Sequence, residues 1–215
     1  MRELGKEKIV KIRDVSVGSG KAIIIAGPCS IESREHIIEE ARALKTMGVD
    51  ILRGGAFKPR TSPFDFQGLG FEGVEYLKEA SEETNLPIVT EVLSEDFVDI
   101  MKDYVDAFQI GSRNMYNYAL LKKIGRTNKP VILKRGFSAT LKEWEMAAKY
   151  IEVEGNHNII FCERGIRTFE TELRNTLDFA GAYYIKEKTG YPVIVDPSHG
   201  TGKRELIEPM VKATL

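Results

Sequence analysis

The sequence predicts an α/β protein, and within that class a (β/α)8 barrel preceded by a short β-hairpin. Short runs rich in Val, Ile and Leu recur along the 215 residues, and the segments between them have helical periodicity. The apolar residues of each run are continuous and do not alternate with polar ones, which is typical of parallel strands covered on both faces. Repeated β/α alternation fits a doubly wound sheet or a barrel, and we favour the barrel.

Seven segments have this strand character. They are residues 22–27, 50–55, 87–92, 107–112, 130–136, 158–165 and 192–200. The strand spacing of about 20 to 36 residues leaves room for one helix between each pair of strands.

Helix-start residues support the segments assigned to helices. Ser33 is placed to cap a helix that ends at Gly48, and Ser94 is placed to open another. Thr140 and Glu143 have the spacing of a capping box, in which each residue caps the backbone of the other. The predicted elements therefore alternate along the chain as a barrel requires.

The segment before the first unit has a different pattern. Residues 8–20 alternate apolar and polar side chains and contain a glycine-rich stretch at Gly18–Gly20, where we expect a turn. We predict a small hairpin that covers the bottom of the barrel. No linker or low-complexity stretch divides the chain, so residues 1–215 are expected to form one catalytic domain.

Composition limits the class of partner and the compartment. The formal net charge is -1, whereas a nucleic-acid or acidic-membrane partner would favour a basic excess. The two cysteines, Cys29 and Cys162, are too few for a disulfide framework, and no signal peptide follows Met1, so we expect the cytoplasm. Apolar runs are far shorter than the roughly 20 residues that cross a bilayer, so no membrane span is expected.

Cationic side chains collect where the predicted strands end. They are Arg53, Lys58, Arg60, Arg113, Lys134, Arg135, Arg164 and Arg167. The carboxyl ends of barrel strands form the active-site face, so these cations should converge there. Arg matches phosphate and carboxylate bidentately and Lys supplies a point charge, which favours a polyanionic ligand. The alternative is that they only solubilise loops.

A thiol and an imidazole occupy equivalent positions after the first and seventh strands. Cys29 and His199 would reach one mouth of a closed barrel and could hold a divalent metal. The alternative for Cys29 is an inert buried thiol. Asp196 could orient or join this site, and Glu91 and Glu163 are candidate acid/base or supporting carboxylates.

Taken together, the motifs resemble the 3-deoxy-D-arabino-heptulosonate 7-phosphate (DAHP) synthase family in its short, single-domain form. They are GPCSIES (27–33), LRGGAFKPRTSPFDFQGLG (52–70), QIGSRN (109–114), LKRG (133–136), CERGIRTFE (162–170) and DPSHGTGKRELIEP (196–209). The related 3-deoxy-D-manno-octulosonate 8-phosphate (KDO 8-phosphate) synthases share several of these elements but carry an Asn-containing motif in place of KPRTS.

The resemblance implies a 3-deoxy-7-phosphoheptulonate synthase, which condenses phosphoenolpyruvate with erythrose 4-phosphate and water in the first step of the shikimate pathway. It also implies the substrate-binding residues. Those for phosphoenolpyruvate are Arg53, Lys58, Arg113, Lys134 and Arg164, and those for the second phosphate are Arg60 and Thr61, with Pro59 of the same motif and Asp196 beside the site.

Further implications concern the metal and proton transfer. The resemblance makes Cys29 and His199 ligands of one divalent ion, which could be Mn, Fe, Co or Zn. Lys58 is expected to deliver a proton to the forming hydroxyl, and Glu91 or Glu163 to position water. A homodimer or homotetramer is the assembly expected from the resemblance.

The chain is shorter than a typical (β/α)8 barrel of ~250 residues, and we expect its eighth β/α unit, which carries a Glu and an Asp metal ligand in the family, to be missing. Two other readings stay open. One is a KDO 8-phosphate synthase, which would accept arabinose 5-phosphate. The other is an inactive phosphate-binding barrel.

Overall fold

The computed structural model describes residues 5–59, 62 and 64–215. The strands in chain order are β1 (Val10–Ile12), β2 (Val15–Val17), β3 (Ile25–Ala26), β4 (Ile51–Arg53), β5 (Ile88–Glu91), β6 (Ala107–Ile110), β7 (Val131–Lys134), β8 (Ile159–Glu163) and β9 (Val193–Val195). The helices are α1 (Arg34–Thr46), α2 (Phe71–Thr84), α3 (Glu95–Met101), α4 (Tyr118–Gly125), α5 (Leu141–Glu152), α6 (Phe179–Thr189), α7 (Pro197–Thr201) and α8 (Ile207–Thr214). Short 3-10 turns occupy Ser112–Asn114 and Arg204–Leu206.

Strands β3 to β9 form one parallel sheet in which the spatial order is the chain order. Each of the seven segments predicted as strands contains one of them. This sequential parallel order, with helices between the strands, is the β/α arrangement of a barrel. In the described part of the chain the parallel sheet has seven strands, as the sequence led us to expect.

The core has two apolar layers, because successive side chains of a strand point to opposite faces. Leu52, Phe108 and Phe161 pack outward against the helices, in a cluster that includes Trp144 of α5. Ile132 belongs to an inner cluster, which lies inside the curved sheet. Cys162 lies in this inner cluster and is 1% exposed, so it is a core residue.

The N-terminal hairpin exists, but its predicted turn was wrong. Strands β1 and β2 pair antiparallel with Ile12 opposite Val15, so the chain turns at Arg13 and Asp14 and not at Gly18–Gly20. Arg13 has φ +53°, which a tight two-residue hairpin loop requires. Side chains from both strands pack into the inner apolar cluster, so the hairpin covers the barrel interior near the amino ends of the strands.

The predicted helix starts are confirmed at three positions. Ser33 accepts a hydrogen bond from the backbone N–H of His36, and Thr140 and Glu143 form the reciprocal capping box. Ser94 precedes α3 without a side-chain cap. None of the helices in the described residues is long and apolar enough to span a membrane.

Candidate active site

Polar side chains from five strand ends meet at the carboxyl edge of the sheet. Cys29 follows β3, Arg53 ends β4, Glu91 ends β5 and Lys134 ends β7. His199 lies in α7, directly after β9. The parallel strands direct these residues to one mouth, as the sequence predicted.

The thiol and the imidazole predicted to meet are close together. Cys29 Sγ lies 3.7 Å from His199 Nε2, and the Lys58 ammonium contacts the same sulfur. The pKa of Cys29 is lowered to about 5, chiefly by the His199 hydrogen bond and also by Lys58 and Arg53, against the opposing effect of burial. Burial lowers the pKa of Lys58. The contacts with His199 and Lys58 therefore favour the thiolate form of Cys29.

Asp196 joins the imidazole to a buried lysine. Its Oδ2 lies 2.6 Å from His199 Nδ1 and accepts a hydrogen bond from Lys134 Nζ at 2.6 Å. Burial alone would raise the pKa of Asp196, but Lys134 and His199 lower it well below its ordinary value. Lys134 is only 7% exposed, so this ion pair is largely shielded from water.

Glu91 lies against the cations of the mouth. Its Oε2 accepts a hydrogen bond from Gln109 Nε2 at 3.2 Å. Burial raises its pKa, while Lys134 and Arg53 act in the opposite direction. A Cβ added to Gly111 would overlap Glu91 Oε1, so the absence of a side chain there makes room for this carboxylate.

Glu163, unlike Glu91, bonds through both carboxylate oxygens to other described groups of the protein. It is fully buried, and both of its oxygens are engaged: Oε1 accepts from the Gly165 backbone N–H at 2.6 Å, and Oε2 accepts from Arg135 at 3.0 Å. Arg135 also donates to Asp178 Oδ2 at 2.8 Å. Arg135 is thus used within the protein, although sequence analysis had grouped it with the cations expected at a ligand.

A second group of cations surrounds an aromatic ring. The guanidinium carbons of Arg113, Arg164 and Arg167 lie 5.5, 4.7 and 4.8 Å from the centroid of the Phe137 ring. Burial lowers the pKa of Arg164, against the opposing attraction of Asp196, and repulsion from Arg174 lowers it further. Sequence analysis missed Phe137; the available signal was a lone aromatic residue directly after LKRG, among the cationic strand ends.

The KPRTS segment is only partly described. Pro59 follows Lys58 and is half-buried, whereas Arg60 and Thr61 lie outside the described residues. Within residues 5–59, 62 and 64–215, no three Cys, His, Asp or Glu side chains are grouped so that they could hold a metal ion. Cys29 and His199 are therefore a two-ligand pair in this part of the chain.

Comparison with known proteins agrees with this geometry. The family model described as the DAHP synthetase I family matches residues 5–215. The phospho-2-dehydro-3-deoxyheptonate aldolase of Thermotoga maritima is 49% identical over 210 residues, which cover 98% of this chain and 62% of that protein. The 2-dehydro-3-deoxyphosphooctonate aldolase of Magnetococcus marinus is 31% identical over 183 residues, covering 82% and 63%.

Solved structures give the same result. The crystal structure of the Thermotoga maritima phospho-2-dehydro-3-deoxyheptonate aldolase (DAHP synthase) superposes with a TM-score of 0.93 at 47% identity, covering 99% of this chain and 65% of that one. A truncated form of the Thermotoga maritima enzyme gives a TM-score of 0.89, covering 97% and 76%. This chain thus spans less than two thirds of the full-length Thermotoga protein. The sequence match and the shared fold together show that the chain belongs to the DAHP synthetase I family.

Proposed function

We propose that this chain carries the catalytic site that condenses phosphoenolpyruvate with D-erythrose 4-phosphate and water, giving DAHP and inorganic phosphate. The observation that carries the proposal is the convergence of cations at one mouth of a chain whose formal net charge is only -1. Clustered Arg and Lys side chains in a partly desolvated cleft bind phosphates and carboxylates.

We assign phosphoenolpyruvate to the cations at the ends of β4, β6, β7 and β8. Lys134 supplies a buried point charge, and Arg53, Arg113 and Arg164 supply planar forks for phosphate or carboxylate oxygens. Asp196 orients Lys134 through the 2.6 Å contact. These groups would hold C3 of the enol facing the acceptor, which is the main contribution a binding site makes to a two-substrate reaction.

The acceptor phosphate is assigned to Arg60 and Thr61, with Pro59 shaping the same loop. Sequence identity to named relatives supports erythrose 4-phosphate over arabinose 5-phosphate as the acceptor. The relative named for the seven-carbon product is 49% identical, whereas that named for the octonate is 31% identical. The KPRTS sequence agrees with this choice.

Cys29 and His199 fit a divalent metal ion. A thiolate sulfur and an imidazole nitrogen are both metal donors, and at 3.7 Å apart Sγ and Nε2 would be close enough to hold one ion together. Asp196 at the other imidazole nitrogen is the usual carboxylate partner of a metal-bound His. When bound, Mn, Fe, Co or Zn would supply a Lewis acid for the acceptor aldehyde.

The remaining residues would manage protons and water. As C3 of phosphoenolpyruvate bonds to the aldehyde carbon, the aldehyde oxygen takes a proton, which we assign to Lys58 because it lies beside Cys29 at the mouth. Water then adds to C2 through its oxygen and the C–O bond to phosphate breaks, while of the two water protons one leaves with the phosphate and the other returns Lys58 to its protonated form. We assign water positioning to Glu91, which faces the cations, and backbone support to Glu163, whose oxygens are both occupied.

We further propose that the protein acts in the cytoplasm as a homodimer or homotetramer, with no nucleic-acid or membrane partner. Neither of the described cysteines, Cys29 and Cys162, is in a disulfide, which agrees with a reducing compartment.

The test is release of inorganic phosphate from phosphoenolpyruvate with each acceptor sugar. We expect turnover with erythrose 4-phosphate, slower turnover with arabinose 5-phosphate, and loss of activity on chelation that an added divalent metal restores. Faster turnover with arabinose 5-phosphate would support the octulosonate enzyme instead. Absence of turnover with both sugars in the presence of metal would support an inactive phosphate-binding barrel.

A further inference from the structure

The Phe137 ring is surrounded by arginines from two β/α loops. Arg113 lies in the 3-10 turn after β6, and Arg164 and Arg167 lie in the loop after β8, while Phe137 itself follows β7. All three guanidinium carbons are within the roughly 6 Å at which a cation is attracted to an aromatic face. One ring thus contacts the cations of both neighbouring loops.

Phe137 is not an ordinary core residue. It is half-buried, and it belongs to neither of the two apolar clusters formed by the described residues. Its described ring contacts are the three arginines. Packing in an apolar core therefore does not explain the position of Phe137.

The backbone fixes the third arginine beside the ring. The Arg167 N–H donates to the Phe137 carbonyl oxygen at 2.7 Å, and the adjacent Ile166 pairs in both directions with Thr176 at 2.9 Å. Arg167 is exposed, and neither it nor Arg164 makes a salt bridge to a carboxylate elsewhere in the described chain. Both guanidinium groups thus lie within 5 Å of the Phe137 ring centroid without a salt bridge to a described carboxylate.

Three like charges around one ring repel one another, and this repulsion would favour splayed side chains. The negative face of the ring opposes that tendency. A phosphate dianion has several acceptor oxygens and suits more than one arginine fork at once. Holding the forks together before binding reduces the entropy lost on binding.

We propose that Phe137 is a positioning residue that gathers Arg113, Arg164 and Arg167 into one cluster, and that Arg167 is an additional cation for the phosphate of phosphoenolpyruvate. This proposal rests on the proposed function, since it assigns a role in binding the same substrate. It adds an aromatic platform and a third arginine to that binding site.

The test is the dissociation constant of phosphoenolpyruvate, measured by calorimetry without acceptor sugar, for Phe137→Tyr, Phe137→Trp and Phe137→Leu. We expect the Tyr and Trp variants to stay within about threefold of wild type and the Leu variant to bind about tenfold more weakly, because Leu keeps apolar volume but has no π face. A purely space-filling role predicts the reverse order, with Leu tolerated and the bulkier Trp harmful.

A double-mutant cycle tests the contact with Arg167. Arg167→Gln should weaken phosphoenolpyruvate binding. The double variant with Phe137→Leu should raise the dissociation constant by less than the product of the two single fold-changes, because both substitutions remove the same interaction. Tyr183→Leu, an aromatic substitution at an exposed position of α6, is the matched control and should leave the dissociation constant unchanged. Thermal unfolding of every variant checks that the fold persists.

The outcomes separate the two proposals. A wild-type chain that binds phosphoenolpyruvate, with a folded Leu variant that binds equally well, would overturn the role of Phe137 and leave the proposed function standing. Multiplicative effects of the two substitutions would overturn the shared role of Phe137 and Arg167. A wild-type chain that binds neither phosphoenolpyruvate nor inorganic phosphate would remove both proposals.

Discussion

Lys134 and Arg135 are neighbours in the sequence, yet their side chains lie in different environments. Successive residues of a strand point to opposite sides, and Lys134 reaches Asp196 at the mouth while Arg135 turns into a buried network with Glu163 and Asp178. Sequence analysis correctly located both cations at the end of β7. It could not separate their roles, because the partners of Arg135 come from distant positions in the chain.

The same reasoning explains what was predictable about Cys29 and His199. Their meeting was expected from a closed barrel, in which the carboxyl ends of the first and seventh strands face one mouth, and the structure confirms it at 3.7 Å. The contact of Lys58 with this sulfur and the ring of arginines around Phe137 depend on loop conformation. Loop conformation has no periodic signal in a sequence.

The Arg135 network makes a prediction about stability. Arg135→Met would leave the fully buried Glu163 without its cation, and removing one partner of a buried pair costs about 3 to 5 kcal/mol. Urea denaturation should show that loss in the free energy of unfolding. Arg42→Met, which breaks the exposed pair with Glu83, is the control and should cost less than about 1 kcal/mol. Equal losses for the two variants would contradict this role for Arg135.

Among the helices and strands, sequence spacing predicted correctly those features whose contacts join residues close together in the chain. The capping box of α5 joins residues three apart and was predicted from their spacing. The hairpin turn was predicted at the wrong place because glycines are the usual turn residues. Gly18 and Gly20 do have positive φ, but the tight turn between β1 and β2 uses Arg13, which also has positive φ. Packing of β1 and β2 into the inner apolar cluster sets the register of the hairpin.

The capping box predicts a pH-dependent contribution to stability. The Thr140 backbone N–H, followed by its hydroxyl, lowers the pKa of Glu143 in the folded state. A lowered folded pKa means that the stabilisation is present above the unfolded value of about 4.3 and is lost as the pH falls through the folded value. Glu143→Ala should therefore lower the melting temperature clearly at pH 7 and much less below pH 4.

A control for this experiment is available on another helix. Glu82 is exposed on α2, and Glu82→Ala should change the melting temperature little at either pH. A Glu143→Ala deficit that is as large below pH 4 as at pH 7 would show that the carboxylate charge has no part in capping α5.

For the whole molecule, the number and order of the parallel strands were predictable because each strand is buried on both faces and reads as an uninterrupted apolar run. Strands β5 to β8 are fully buried, and these gave the clearest signals. The curvature that brings the ends of β3 and β9 into contact through Cys29 and His199 arises from sheet twist and helix packing. Resemblance to a known family, rather than periodicity, supplied the expected chemistry.

The most direct measurement is calorimetric binding of phosphoenolpyruvate to the wild-type chain, to Lys134→Met and to Lys212→Met, an exposed lysine on α8. We predict one site per chain in the wild type and the same affinity for Lys212→Met. For Lys134→Met we predict an affinity at least about 30-fold weaker, because removing the cation that pairs with a buried anion of the ligand costs about 2 to 5 kcal/mol of binding free energy. Arg53→Gln, which leaves Asp196 paired, should also bind more weakly and guards against a folding defect. Full retention of wild-type affinity by Lys134→Met and Arg53→Gln would contradict the assignment of this mouth as the phosphoenolpyruvate site. Absence of binding by the wild type would contradict it as well.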